Sequence, residues 1–164
     1  MGIPVTWGTL LVGFAEGHGV LTGEEFAAFA IERASQTSTL GSELVDAMFV
    51  NPQDDEAVLA ALRRLCEIER PDMGRETRKW RLLQVEDRLA DLPSDPVYGL
   101  LGLTEFWSGL DFPADSPHVV QGRGNTIDPV EYYTESTFTE ALRRHREWVQ
   151  REREDLASVE QDAR

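Results

Sequence analysis

Leu21-Thr22-Gly23-Glu24-Glu25-Phe26-Ala27-Ala28-Phe29-Ala30 is the stretch on which the fold turns. Thr22 and Glu25 have the T-x-x-E spacing of a capping box. The threonine hydroxyl accepts an N–H from the first helical turn, and the glutamate reaches back to the cap's own N–H. Leu21 stands where it can staple onto Phe26. From Phe26 to Ala34 the chain is apolar nearly all round, so this helix is expected at the centre of the fold.

Working outward, Thr6 can cap a preceding helix whose Trp7, Leu10, Leu11 and Phe14 make one apolar stripe, ended by Gly17 and Gly19. Downstream, Ser42 to Phe49 reads as a short helix. Asn51 is then placed to cap another, with Pro52 at its first position. Val58, Leu59, Leu62, Leu65 and Cys66 face one way in that helix. After the break at Arg70-Pro71 comes a helix over about residues 74–91, buried through Trp80, Leu82, Val85 and Leu89. Leu92-Pro93 closes it and Asp95-Pro96 opens the next. Its stripe of Val97, Leu100, Leu101, Leu103, Trp107 and Leu110 is helical, but Gly99, Gly102 and Gly109 each cost a helix about 1 kcal/mol. Residues 97–103 therefore suit either a helix or a short strand.

Residues 111–135, with Pro113, Pro117, Pro129 and Gly122-Arg123-Gly124-Asn125, form one long irregular loop. The final helix is expected to start at Thr137, with Glu140 completing a second capping box, and to bury Phe138, Ala141, Leu142, His145, Trp148 and Val149. Beyond them only Leu156 is large and apolar on that face. Pairs such as Glu147–Arg151 and Arg151–Asp155 add about 0.2–0.5 kcal/mol each. The expectation is a mostly all-α fold of about six to seven helices. Residues 1–149 would form one helical domain, and residues 150–164 a polar extension of the last helix that frays.

At 164 residues the chain can remove about 70% of its unfolded surface from water. It has 41% hydrophobic and 28% charged residues, with four Trp and seven Phe, and so belongs to the globular class. Cys66 has no second cysteine to pair with, and no charged-then-apolar leader opens the chain, which points to the cytoplasm. Met1-Gly2-Ile3-Pro4-Val5-Thr6 fits the short myristoylation pattern, but no polybasic patch follows to anchor it. No apolar run is long enough to span a bilayer, so no membrane partner is expected. A net charge of −14 repels phosphate backbones, which argues against nucleic acid and favours a basic protein as partner. Residues 1–74 carry twelve acidic and four basic side chains, whereas residues 141–164 carry six of each.

The chain has no phosphate-binding loop, H-E-x-x-H, C-x-x-C, nucleophile elbow or calcium loop, so no cofactor is expected. His18, His118 and His145 are far apart with no second ligand at helical spacing, and no metal site is expected. His145, on an apolar stripe, reads as a hydrogen-bonded core residue. His118 is the one histidine in the long loop. Gly122-Arg123-Gly124-Asn125 reads as a tight turn needing positive φ rather than an anion nest. Asp54-Asp55-Glu56 sits in the opening turn of a helix, where negative charge is stabilising by itself. In the loop, Phe112, Tyr132 and Tyr133 lie beside Asp111, Asp115, Asp128 and Glu131. Aromatic anchors within an acidic rim suit a basic partner, and they equally suit a loop pinned to the core.

Thr6-Trp7-x-x-Leu10-x-x-Gly13, Leu21-Thr22-x-x-Glu25-x-x-x-Phe29-Ala30 and Leu110-Asp111-Phe112-Pro113-Ala114-Asp115 together resemble a family of small acidic bacterial proteins of unknown function. That family is similar to the immunity proteins of polymorphic toxin systems. The resemblance covers about residues 6–120 and does not extend to the Arg-rich final helix.

The functional expectation is a non-enzymatic acidic protein-binding module of immunity type that neutralises a basic toxin or enzyme. Asp111, Phe112, Asp115, Glu131, Tyr132 and Tyr133 would touch the partner. One alternative is an enzyme with its site in the 111–133 loop, using His118, Asp115 and Tyr132. Another is a structural or regulatory subunit that docks through its C-terminal helix. The oligomeric state is left open.

Overall fold

Short-range hydrogen bonds decide where the helices begin. The computed structural model describes residues 3–15, 21–37 and 41–162. Among them are α1 (Trp7–Ala15), α2 (Gly23–Gln36), α3 (Ser42–Met48), α4 (Asp55–Glu69), α5 (Met73–Ala90), α6 (Pro96–Gly109), α7 (Pro129–Tyr132) and α8 (Glu135–Asp162). No strand occurs among the described residues, so the fold is all-α as expected. The expectations for Gly2, Gly17, His18 and Gly19 lie outside the described residues.

The Thr22 box forms as read. Glu25 N–H donates to Thr22 Oγ1 at 3.2 Å, and Thr22 N–H donates to Glu25 Oε2 at 2.7 Å. Thr6 caps α1 through Thr9 N–H at 3.2 Å. Two other caps differ from the expectation. Asp54, not Asn51, caps α4, accepting from Ala57 N–H at 3.0 Å. A carboxylate complements the helix dipole better than a neutral amide, and Asn51 instead closes a turn onto Gln53 N–H at 3.1 Å. That turn seats α2, because a Cβ on Gly23 would fall 2.0 Å from the Pro52 carbonyl oxygen. The last helix is capped by Thr134 rather than Thr137, whose own N–H donates to Thr134 Oγ1 at 3.3 Å. The earlier start frees Glu140 for Arg143 and Arg144.

Packing groups the chain into two compact units, Met1–Trp80 and Arg81–Arg164, and α5 begins in the first and ends in the second. In the first unit, Trp7 and Leu10 of α1 meet Phe26 and Ala30 of α2, Ala47 of α3, and Val58, Leu62 and Leu65 of α4. Each large side chain buried there contributes about 1.5–3 kcal/mol. Trp7 presents its ring edge-on to Phe29, centroids 4.9 Å apart.

In the second unit α6 packs on α8. Residues 97–103 are helical, and Gly99 shows why glycine stands there: a Cβ would meet the Phe138 ring at 2.4 Å. Close approach of the two helices offsets the lost helix propensity. Leu100, Leu103 and Trp107 are buried on α6, and Phe138, His145, Trp148 and Leu156 on α8, which continues to Asp162.

Candidate functional site

The segment from Asp111 to Asp128 has no regular structure apart from turns, yet several of its side chains are tied down. Asp111 and Phe112 adopt left-handed φ of 54° and 47°, which turns their N–H groups back onto the carbonyls of Ser108 and Trp107 at 3.0 and 2.9 Å. Arg123 lies over the Phe112 ring at 4.1 Å, a cation–π contact. Asp115 accepts two parallel hydrogen bonds from Arg81, at 2.6 and 3.1 Å. Gly122 and Gly124 have positive φ, and Gly122 N–H donates to Asn125 Oδ1 at 3.1 Å. The four residues form a turn closed by Asn125.

His118 is 8% exposed and sits 2.8 Å from the Thr104 hydroxyl through Nε2. Thr104 donates its own hydrogen to Leu100 O at 2.9 Å. The hydroxyl therefore accepts from His118 Nε2–H, and the lone pair is left on Nδ1. That nitrogen is buried without a protein partner. Burial first, and then the neighbouring His145, push His118 down to about 3. His145 is fully buried: Trp107 Nε1–H donates to its Nε2 at 2.8 Å, so Nδ1 carries the hydrogen and donates to Ala141 O at 2.6 Å. Its imidazole, too, is held neutral, chiefly by burial.

Tyr132 is 2% exposed, and its hydroxyl donates to Val119 O at 2.6 Å. Burial raises the phenol above its ordinary range. Tyr133 is half-buried and edge-on to Tyr132 at 5.0 Å. None of His118, Asp115 and Tyr132 hydrogen-bonds another, although the Thr104 hydroxyl that meets His118 also interacts with Tyr132. A histidine this hard to protonate is a weak base at neutral pH. Of the six residues read as partner-binding, Asp111, Glu131 and Asp115 are exposed, and Asp115 is already bonded to Arg81. Phe112 is half-buried beneath Arg123, and the two tyrosines pin the loop.

The loop does build a concavity. A cleft of about 310 Å³ has Leu100, Val119, Ile127 and Tyr132 among its apolar walls, and Ser136, Glu140 and Arg144 at its polar side. Glu140 is held down to about 2 by hydrogen bonds from Arg143 and Arg144. Among the described residues no three His, Cys, Asp or Glu side chains are arranged to hold a metal ion, and no helix is long and apolar enough to cross a membrane.

A buried polar cluster in the first unit went unread in the sequence. Glu76 Oε2 accepts from the Thr6 and Thr9 hydroxyls at 2.7 and 2.5 Å, and Oε1 accepts from Lys79 Nζ at 3.0 Å. The sequence carries a signal for it: Glu76 lies one turn before Trp80, on the buried side of the same helix.

The exposed charge lies elsewhere in the same unit. Glu24, Glu25 and Glu32 on α2, Glu43 and Asp46 on α3, and Asp54, Asp55 and Glu56 at the start of α4 all face solvent. Between residues 21 and 62 the one basic side chain is Arg33. Arg33 is engaged by Glu69 at 3.5 Å and the Phe29 ring at 5.7 Å. Within this acidic stretch Phe49, which caps the end of α3, is 82% exposed.

Residues 1–153 match a family described as uncharacterized protein conserved in bacteria (DUF2247). No curated protein and no solved structure matches the chain.

Proposed function

The chain belongs to the DUF2247 family, and on that premise we propose that it is a non-enzymatic acidic protein-binding module that captures a basic partner protein, acting as an immunity-type inhibitor. One observation carries this reading: from residue 21 to residue 62, the exposed surfaces of α2, α3 and the first half of α4 hold eight carboxylates against one base, Arg33, which is already engaged, and Arg63 and Arg64 follow only later on α4. Uncompensated negative charge on one unit attracts a basic surface and speeds encounter, while repelling nucleic acid and acidic proteins. The 111–133 loop is a weaker docking element, since its aromatic groups and Asp115 are committed within the fold.

The test is a low-salt capture from bacterial lysate followed by association kinetics on whatever basic protein is released by salt. The association rate is expected to fall steeply with ionic strength, because exposed charges are screened within about 8 Å at physiological salt. Neutralising Glu24, Glu32, Asp55 and Glu56 together should slow it further. A rate indifferent to salt and to those changes would sink the reading.

A further inference from the structure

Between α3 and α4 runs a groove of about 180 Å³. Its floor is Ala47 and Val50 on one side and Ala57, Ala60 and Ala61 on the other. The alanines stop at Cβ, so the surface is concave and apolar and has room for one long side chain. Glu43 and Asp46, one turn apart on α3, form one wall, and both are exposed with no cation bonded to them among the described residues. Arg64 stands across from them on α4. Phe49 lies in the chain between the floor residues Ala47 and Val50, and its ring faces solvent.

We infer that this groove, together with the ring of Phe49, is the anchor of the docking surface, and that it takes an arginine or lysine of a basic partner next to an apolar patch that receives Phe49. The inference rests on the protein-binding reading above. The aliphatic stem of such a residue lies along the alanine floor while its charged head meets Glu43 and Asp46, as long basic side chains do when they cover apolar surface. Arg64, on the α4 side of the groove, repels the incoming charged head and so leaves it on the α3 side, next to Glu43 and Asp46. An acidic segment is excluded by the surrounding carboxylates. An exposed aromatic beside a charged pocket has the makeup of a binding hot spot.

The experiment measures fluorescence anisotropy of a labelled synthetic peptide of alternating leucine and arginine, titrated with the full chain at low salt. Asp46→Lys and Phe49→Ala are each expected to weaken binding about tenfold or more. Glu105→Lys makes the same charge change at an exposed position on α6 and should weaken it less than about twofold. All three positions are exposed, and circular dichroism checks that each variant folds. Equal weakening by Asp46→Lys and Glu105→Lys, or no loss with Phe49→Ala, overturns the groove while leaving acidic capture standing. No binding of the peptide to the unaltered chain overturns both.

Discussion

Lys79 Nζ lies 3.0 Å from Glu76 Oε1, and the two side chains are only 3% and 4% exposed. The other carboxylate oxygen is satisfied by Thr6 and Thr9, so α1 is bonded to α5 through a fully occupied buried glutamate. Glu76→Ala is expected to cost about 3–5 kcal/mol, because it strands a buried ammonium. Replacing both partners, as Glu76→Leu with Lys79→Met, should cost far less. Urea midpoints of the three proteins check this, and an equal loss in single and double variants would refute it.

Gly99 and Gly109 stand in the same helix and should respond oppositely to alanine. A Cβ on Gly99 meets the Phe138 ring at 2.4 Å, so Gly99→Ala is expected to destabilise by about 1–3 kcal/mol. Gly109 has nothing within 4 Å, and Gly109→Ala should stabilise by up to about 1 kcal/mol by restricting the unfolded chain. Thermal unfolding of the two variants gives the sign directly.

His118 takes up a proton only near pH 3 in the fold, against 6.5 ordinarily. The unfolded chain therefore binds this proton first as pH falls. The stability linked to it is complete above about pH 6.5 and declines from there toward pH 3, by at most about 1.4 kcal/mol per pH unit. His118→Asn should flatten that part of the stability curve relative to the parent. Imidazole proton shifts of His118 should stay constant from pH 8 to pH 5, and a mid-point near 6.5 would contradict the burial argument.

Burial, followed by the charges of Glu69 and Glu76, pushes the Cys66 thiol up to about 11. Little thiolate then exists at pH 8, and the thiolate is the reacting form. A disulfide reagent should label the folded chain far more slowly than the chain in denaturant, and equal rates would show an accessible, ordinary thiol.

Most helix starts could be read from the sequence because a cap joins residues three apart. Thr6, Thr22 and Asp95 lie where their side-chain oxygens and the following N–H groups demand. The caps expected at Asn51 and Thr137 are instead Asp54 and Thr134, three residues away in each case. At the first pair the carboxylate's charge and the seating of Gly23 on Pro52 decided it. At the second, Thr134 takes the Thr137 N–H, and Glu140 pairs with Arg143 and Arg144 instead of closing a capping box.

The candidate site was less legible. The sequence marked the aromatic and acidic residues of the 111–133 loop, but not that Asp115 would be held by Arg81, 34 residues away. Nor did it show that Phe49 would be left outside the core while its neighbour Ala47 was fully buried. Both are apolar residues of one short helix end, and only the packing of α2 and α4 around α3 tells them apart.

What the sequence determined by itself is the all-α class, the capped start of α2, and the excess of negative charge. These follow from capping within four residues, from helical periodicity and from composition. The helix α2 is not the all-round apolar helix expected, since only Phe26 and Ala30 of residues 26–34 are buried and Ile31 is 55% exposed. The tertiary structure decided which polar groups are buried and which side chains are free to meet a partner. Those outcomes depend on contacts between residues as far apart as Thr6 and Glu76, 70 positions along the chain, where no local rule of spacing operates.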